Sequence, residues 1–288
     1  MSYDLFFYKP KQRQLRWEDI AEYLVNKIGP DEHNQWVYEN NDTNVYFTFE
    51  KNEPDEDDND VPAFEGYDDA ELAFNVNFMR PDFFGLEAFL FVESMIKDLG
   101  LYVLNPQQEF DQLTQPTKEA LFENWHKTNS WACQEHFNDE TFYLDPAISN
   151  TAWEYNFNRK RLQEELGENY FVSRIFIFER IADKKAVTVS MWAEHIPNIL
   201  PDTDYYYLGR SYRKLLKTIK DSVLLNKKDF TKIFGEFFEP YYFMNSRIIH
   251  PERAASIKKL YNSITSDLDF KKDLKHIAVE KIFNVEPA

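Results

Sequence analysis

The acidic residues of this chain are concentrated in one stretch, and this concentration limits how the stretch can fold. Residues 31–72 contain 15 Asp and Glu and a single base, Lys51. An unpaired carboxylate is costly to remove from water, so a stretch of this density must lie at the surface. Its densest part contains five acids within six residues, namely Asp55, Glu56, Asp57, Asp58 and Asp60.

The charge is unevenly divided between the two halves of the chain. Residues 1–144 carry 30 acids and 10 bases, whereas residues 145–288 carry 20 acids and 23 bases. A field of this sign attracts a basic protein and repels nucleic acid, so we expect no DNA or RNA partner. A solubilising loop is the alternative interpretation. A calcium site is less favoured, because the D-x-[DN]-x-[DN]-G spacing is absent.

Composition narrows the class of protein further. Hydrophobic residues make up 43% of the chain, which is enough for a folded core. The single cysteine, Cys133, excludes an internal disulfide and fits a reducing compartment. There is no uncharged apolar run near 18 residues and no signal-peptide pattern, so we expect a cytoplasmic protein without a membrane span. With seven glycines and no phosphate-binding or dinucleotide motif, no cofactor is predicted.

The first hundred residues predict alternating strands and helices in the order β-α-β-β-β-α-β. Gly29-Pro30 and Gly100 are typical helix stops. Because two amphipathic helices need an apolar surface to cover, we expect a mixed or antiparallel sheet with both helices on one face. The predicted strands are 3–8, 35–38, 45–50, 71–79 and 101–104, and the predicted helices are 17–28 and 82–97.

The second half predicts a helix-rich α+β region. Residues 117–166 have a helical pattern with a break near 143–146, and the chain after Tyr212 is predicted to be mostly helical. Strands at 171–178, 186–191 and 205–208 predict a small three-stranded sheet. The whole chain is therefore predicted to be α+β, with an acidic domain over 1–110, a helix-rich region over 111–288 and a boundary that falls within 105–145. The two could share one core, since no flexible linker separates them.

One helix carries residue types that ligate metals or act as nucleophiles. His126, Asn129, Cys133 and His136 are spaced to lie on one helical face. They span about 15 Å at 1.5 Å per residue, so only Cys133 and His136 are close enough to share an ion. They are weak metal candidates, and a structural role is favoured over a metal site or a thiol nucleophile.

Two further acidic motifs have simple interpretations. Asp183-x-Lys185 matches part of a nuclease pattern, but it falls on a predicted hairpin turn. Asp202-x-Asp204 lacks a phosphate-binding loop nearby and is interpreted as loop structure. No Ser-His-Asp elbow, HExxH or Walker motif occurs in the sequence. We therefore predict no catalytic residues and favour a binding protein over an enzyme.

Aromatic residues make up 17% of the chain and occur in clusters. Most are expected to form core. Residues 205–207 and 234–243 are aromatic runs that belong either to the core or to a partner surface. Phe64 and Tyr67 lie beside the acids and are predicted to anchor a partner.

Parts of the first 110 residues resemble a group of uncharacterised bacterial proteins. The similarity lies in 3–8 (YDLFFY), 77–84 (NFMRPDFF), 100–103 (GLYV) and 105–107 (NPQ). Proteins of this group are similar to immunity or accessory partners in toxin or defence cassettes. The resemblance implies binding rather than catalysis, and it supplies no functional residue.

These observations together predict a non-enzymatic protein-binding module, such as an immunity protein that neutralises a basic toxin. The alternatives are an enzyme with a metal or thiol site near His126, Cys133 and His136, and a structural subunit of an oligomer. The oligomeric state is not predicted. The predicted partner-binding residues are Asp55, Glu56, Asp57, Asp58, Asp60, Phe64, Tyr67, Asp68 and Asp69.

Overall fold

A computed structural model describes residues 1–52, 62–107, 112–214 and 217–286. The chain is a mixed α and β protein with several sheets, as the sequence predicts. It divides into two compact units, Met1–Phe137 and Asn138–Glu286. This division lies within the predicted range of 105–145 and after the predicted domain end at residue 110. The helix Lys118–Glu135 belongs to the first unit because it packs against the helix before it, Phe83–Leu99.

The first unit contains an antiparallel sheet and three helices among its described residues. The elements are β1 (Ser2–Pro10), α1 (Trp17–Lys27), β2 (Gln35–Asn40), β3 (Val45–Lys51), β4 (Tyr67–Asn77), α2 (Phe83–Leu99), β5 (Tyr102–Leu104) and α3 (Lys118–Glu135). The strand order in the sheet is β2-β3-β4-β1-β5, and each neighbouring pair is antiparallel.

Local sequence signals account for the ends of these helices. The Asp19 carboxylate accepts a hydrogen bond from the Arg16 backbone N–H at 2.9 Å and so closes the first turn of α1. Helix α2 ends at Gly100, whose φ of 57° lies in the left-handed region that favours glycine. A Cβ at this position would also meet the guanidinium of Arg13.

One face of this sheet carries the core of the first unit. The strand register aligns Leu5, Phe74, Phe49 and Trp36 in one row across four strands, and each is at most 2% exposed. The Trp17 ring of α1 meets Trp36 edge to face at 5.9 Å. Rings of α2 meet the same face, as in the 6.1 Å contact of Phe89 with Phe74. Helices α1 and α2 therefore cover a single face.

The second unit contains three sheets and several short helices among its described residues. The sheet orders are β12-β11-β9-β8-β15, β13-β14-β10-β7 and β16-β6. Short 3₁₀ turns occur at Gly235–Phe237 and Val279–Lys281. The elements are β6 (Phe142–Tyr143), α4 (Pro146–Phe157), α5 (Arg159–Leu166), β7 (Phe171–Val172), β8 (Ile175–Arg180), β9 (Lys185–Ala193), β10 (Asn198–Leu200), β11 (Tyr205–Lys214), β12 (Lys217–Asn226), α6 (Lys227–Phe234), β13 (Glu239–Pro240), β14 (Arg247–Ile249), α7 (Pro251–Ser256), α8 (Lys258–Ser263), α9 (Phe270–Asp273), β15 (Leu274–His276) and β16 (Ile282–Phe283).

The structure differs here from the predicted helix-rich region with a three-stranded sheet. Strand β12 pairs with β11 where the sequence predicted helix after Tyr212. Val223 and Leu225 join the core cluster around Trp192, whereas Leu224 joins the cluster around Phe178. Both faces of the strand are therefore covered, and its apolar residues are consecutive instead of alternating. Periodicity alone cannot distinguish such a run from a helix.

The aromatic runs of the second unit contribute mainly to its core. Trp192 is fully buried, and four aromatic rings surround it at centroid distances between 4.9 and 6.3 Å. Three of these rings are Phe230, Phe234 and Phe238, and the fourth is Tyr261. Tyr242, by contrast, is 68% exposed. No helix in the described residues has the length and apolar character needed to cross a membrane.

Candidate partner-binding face

The sheet of the first unit has a second face, opposite to the one that α1 and α2 cover. Residues directly paired across a sheet point to the same side, so the register defines this face. It is called the open face below. Its residues are Ser2, Asp4, Phe6, Tyr8 and Pro10 of β1, Gln35, Val37 and Glu39 of β2, Tyr46, Thr48 and Glu50 of β3, Tyr67, Asp69, Ala73, Asn75 and Asn77 of β4, and Tyr102 and Leu104 of β5.

Most residues of the open face are half-buried or exposed. Val37 is 47% exposed, Glu39 and Glu50 are exposed, and Asp4 is half-buried. Tyr8, Ala73 and Leu104 are buried, and the chain just before β4 lies over Tyr8. An accessible face of this kind is typical of an antiparallel sheet with one solvated side.

Aromatic rings gather at one end of the open face. Phe64 meets Tyr8 edge to face at 5.1 Å, and the Tyr8 hydroxyl donates to the Pro62 carbonyl at 3.1 Å. Tyr67 meets Tyr102 at 4.9 Å, and Phe64 and Tyr67 are both half-buried. Rings that are fixed in place and still partly accessible offer contact area at little cost in side-chain entropy.

Asp69 lies beside this aromatic group. It pairs with Tyr8 in the register and accepts a hydrogen bond from the Glu71 backbone N–H at 2.8 Å. Burial raises the pKa of the Asp69 carboxyl above its ordinary value, and the hydrogen bond from the Glu71 backbone and the charge of Lys9 offset part of this rise. Glu71 itself has a φ of 54° within the irregular part of β4 that interrupts the pairing with β1.

The structure brings together some of the residues that the sequence singled out. Phe64, Tyr67 and Asp69 share the open face. Asp68 is exposed but points away from this face, because it is the next residue along the strand. The remaining predicted residues, Asp55, Glu56, Asp57, Asp58 and Asp60, lie outside the described residues.

Sequence reasoning missed three acids of the open face, Asp4, Glu39 and Glu50. All three occupy the polar positions of alternating strands, so the period-2 pattern could have found them. Asp4 accepts hydrogen bonds from Ser2 and Asn75, and Gln35 donates to Glu50 at 3.4 Å. Within the paired residues that define this face, none is Lys or Arg.

The bases near this sheet have partners within the first unit. The Lys9 ammonium donates to the Leu15 carbonyl at 2.7 Å, and its charge lowers the pKa of Asp69. Lys51 lies over the Trp17 ring and 3.7 Å from Glu71. The Arg80 guanidinium donates at 2.6 Å to the hydroxyl of Tyr46, which pairs with Glu39 on the open face. No described base forms an ion pair with Asp4, Glu39 or Glu50, so these carboxylates can attract an external cation.

The predicted metal or thiol candidates lie on α3, and two of them, Asn129 and Cys133, are buried where this helix packs. The Asn129 side chain accepts from the Arg80 backbone N–H at 3.1 Å and donates to the Arg80 carbonyl at 2.8 Å. Cys133 is 1% exposed, and burial raises the pKa of its thiol to about 12, which disfavours the nucleophilic thiolate. His136 is exposed at the end of the helix. No group of three metal-ligating side chains occurs in the part of the chain that the structure describes.

His126 has neighbours that suggest a catalytic triad, but the geometry differs from one. Its Nδ1 lies 3.0 Å from the Asp82 carboxylate. The Ser130 hydroxyl is 3.3 Å from Nε2 and 3.5 Å from Nδ1, and these nearly equal distances place it over the ring. The lone pair with which an imidazole nitrogen accepts a proton lies in the ring plane, so His126 cannot accept the proton of Ser130 as arranged. Phe122 stacks on the ring at 5.2 Å.

The His126–Asp82 contact predicts a pH-dependent contribution to stability. The hydrogen bond to Asp82 raises the pKa of His126 above 6.5, its ordinary value. Stability from this contact is therefore complete below pH 6.5 and is lost as the pH rises through the folded-state pKa. His126→Gln should destabilise the protein more at low pH than at high pH. The difference should stay below about 1 kcal/mol, because the side chain is 40% exposed.

Urea unfolding roughly one pH unit below and two units above 6.5 measures this difference. His136→Gln on the same helix is the control, since it lies outside the Asp82 contact. A loss of stability for His126→Gln that is equal at both pH values would contradict the assignment.

The two other acidic motifs form local structure. Asp183 accepts from the Arg180 guanidinium at 2.6 and 2.8 Å on the turn between β8 and β9, as the turn interpretation predicts. Asp204 accepts from the Thr188 backbone N–H and hydroxyl at 2.8 and 2.9 Å. Asp202 pairs with Lys227 at 2.6 Å. Each carboxylate is thus held by neighbours in the protein.

Comparisons with protein-family models, with curated proteins and with solved structures give no match. The resemblance to immunity-like proteins therefore stays a prediction. The geometry and charge of the open face are the observations that bear on function.

Proposed function

We propose that this chain is a binding protein that docks a basic protein partner on the open face of its first sheet. The observation that carries the proposal is the composition of this face. It presents Asp4, Glu39, Glu50 and Asp69, of which Asp69 lies next to the rings at one end, and its paired residues include no Lys or Arg. An immunity protein that neutralises a basic toxin is the kind of binder that we favour.

The two parts of the face have different roles in this proposal. The carboxylates accelerate the encounter with a cationic partner and orient it. The rings then supply apolar contact that slows dissociation, as aromatic anchors do in other interfaces. Residues 53–60 follow β3 in the sequence and add to the negative charge of the first half of the chain.

The arrangement supports binding over catalysis. The thiol of Cys133 is buried and protonated, and Ser130 lies off the lone-pair direction of His126. The face, by contrast, offers charge and rings over a wide, shallow area. Such a surface suits a macromolecular partner.

The test measures the affinity of a purified partner, identified by affinity capture from the organism that encodes the chain. The open-face variant combines Glu39→Gln, Glu50→Gln and Asp69→Asn. The control variant combines Glu164→Gln, Glu168→Gln and Asp267→Asn, three exposed acids of the second unit. Both variants lose three negative charges, so a general effect of net charge is the same in each.

We expect the open-face variant to lose at least about tenfold in affinity, mainly through slower association, and the control to change by less than about twofold. Neutralising Asp55, Glu56, Asp57, Asp58 and Asp60 should also weaken binding and reduce its salt dependence. Equal losses in the open-face and control variants would contradict the proposal. A partner without an excess of Lys and Arg would do so as well.

A further inference from the structure

The second unit contains a cavity that the proposed function does not use. It encloses about 420 Å³ between the ends of β10 and β14, helix α6 and the chain between β13 and β14. This volume lies in the range of sites for small organic ligands. All residues that line the cavity belong to the second unit, so its properties can be tested separately from partner binding.

The floor of the cavity is aromatic and rigid. Phe230 stacks on Tyr206 at a centroid distance of 3.9 Å, and Phe238 lies 5.7 Å from Phe230. All three are at most 6% exposed. The Tyr206 hydroxyl donates to the Pro201 carbonyl at 3.1 Å, which fixes the ring. Such a floor favours a flat apolar group in contact with it.

Two tyrosines form one wall. The rings of Tyr241 and Tyr242 lie 4.6 Å apart. The Tyr242 hydroxyl donates to the Glu165 carboxylate at 2.6 Å, and Arg161 pairs with the same carboxylate. Tyr242 is 68% exposed, yet this hydrogen bond holds it beside the cavity. The wall is therefore formed before any ligand arrives.

The charge of the cavity comes from one guanidinium. Asp202 and Lys227 form an ion pair at 2.6 Å, so their charges offset each other at the rim. Arg247 pairs with Leu200 across the sheet and lines the cavity, and its side chain is exposed. Among the described residues no carboxylate forms an ion pair with Arg247. A guanidinium in this position suits a carboxylate or a phosphate.

We infer that this cavity binds a small molecule that combines an aromatic ring with one carboxylate or phosphate group. The ring lies against the Tyr241–Tyr242 wall above the buried floor of Phe230 and Phe238, and the anionic group pairs with Arg247. A cationic ligand is disfavoured, because Asp202, the one carboxylate among the described lining residues, is already paired with Lys227.

Titration calorimetry on the full chain tests this inference with four probes. 4-Hydroxyphenylacetate and phenyl phosphate carry both features, cyclohexylacetate lacks the aromatic ring, and tyramine carries a cation in place of the anion. We expect the two aromatic anions to bind at millimolar concentration or below, cyclohexylacetate to bind several-fold more weakly, and tyramine not to bind.

Two variants and one control locate the binding. Arg247→Gln should weaken the aromatic anions by about tenfold or more, because it removes a charge-assisted pair. Thr231→Trp keeps Arg247 and should abolish binding by filling the cavity from an exposed position on α6. Arg253→Gln is the matched control, since Arg253 pairs with Glu239 and does not line the cavity, and it should change affinity less than about twofold.

Three results would overturn the inference. The first is that neither aromatic anion binds at millimolar concentration. The second is that tyramine binds as well as 4-hydroxyphenylacetate. The third is that Arg247→Gln or Thr231→Trp binds the aromatic anions as the unmodified chain does. None of these results bears on partner binding by the first unit.

Discussion

Replacing Trp192 by alanine is expected to lower the free energy of unfolding of the second unit by about 3–5 kcal/mol. The indole is fully buried and is enclosed by Phe230, Phe234, Phe238 and Tyr261. Its Nε1–H donates to the Ile196 carbonyl at 2.8 Å. The substitution leaves a large cavity and removes the donor for that carbonyl, and both effects act in the same direction.

Trp131→Ala is the matched control for this prediction, because Trp131 is 57% exposed on α3. It should change stability by less than about 0.5 kcal/mol. Denaturant unfolding followed by circular dichroism measures both variants. Similar losses for Trp192→Ala and Trp131→Ala would show that the aromatic cluster is not the centre of the second core.

Replacing Asn129 by alanine is expected to lower the free energy of unfolding of the first unit by about 2–4 kcal/mol. The side chain is 2% exposed and bonds both backbone groups of Arg80. In the alanine variant, the backbone N–H and the carbonyl of Arg80 lose their hydrogen-bond partner while they remain partly buried. The turn between β4 and α2 should then loosen from α3, and Cys133 should react faster with a thiol reagent.

Asn124→Ala on the same helix provides the comparison. Asn124 is half-buried, and alanine favours helix slightly. The free energy of unfolding of Asn124→Ala should therefore stay within about 0.5 kcal/mol of that of the unmodified chain. Chemical unfolding and the rate of Cys133 modification are measured on both variants. An unchanged thiol rate in Asn129→Ala would show that Asn129 does not hold α3 against the turn.

The first unit was largely predictable from its sequence. The alternation at 71–79 and the helix stops at Gly29 and Gly100 give the correct order of elements, because one face of the sheet is buried and the other is solvated. The irregular pairing of β4 near Glu71 carries no pattern of its own. It extends the strand back to Tyr67, and so places Tyr67 and Asp69 in the sheet instead of in the loop before it.

The second unit was less predictable for a physical reason. The strand β12 is covered on both faces, so Val223, Leu224 and Leu225 are buried consecutively and the period-2 signal disappears. Several other strands are only two or three residues long, as in Phe171–Val172 and Ile282–Phe283. Segments of that length are defined by their partners in the fold and not by their own sequence.

The candidate site was found in part. Charge density indicates Asp69, and it also indicates residues 55–60, which lie outside the described residues and stay a prediction. Asp4, Glu39 and Glu50 are separated in sequence and converge only when the register places them on one face. The α3 candidates show the reverse case. Their spacing predicts one helical face, and in the structure Asn129 and Cys133 are buried, whereas His126 is half-exposed and contacts Asp82.

Carbodiimide coupling tests the central claim most directly, because this reagent joins a carboxylate to an amine in contact with it. The purified complex with the basic partner is coupled and the linked peptides are identified by mass spectrometry. The account predicts links from the partner's lysines to Asp4, Glu39, Glu50 or Asp69. Links confined to acids of the second unit, such as Glu164, Glu168 and Asp267, would contradict it.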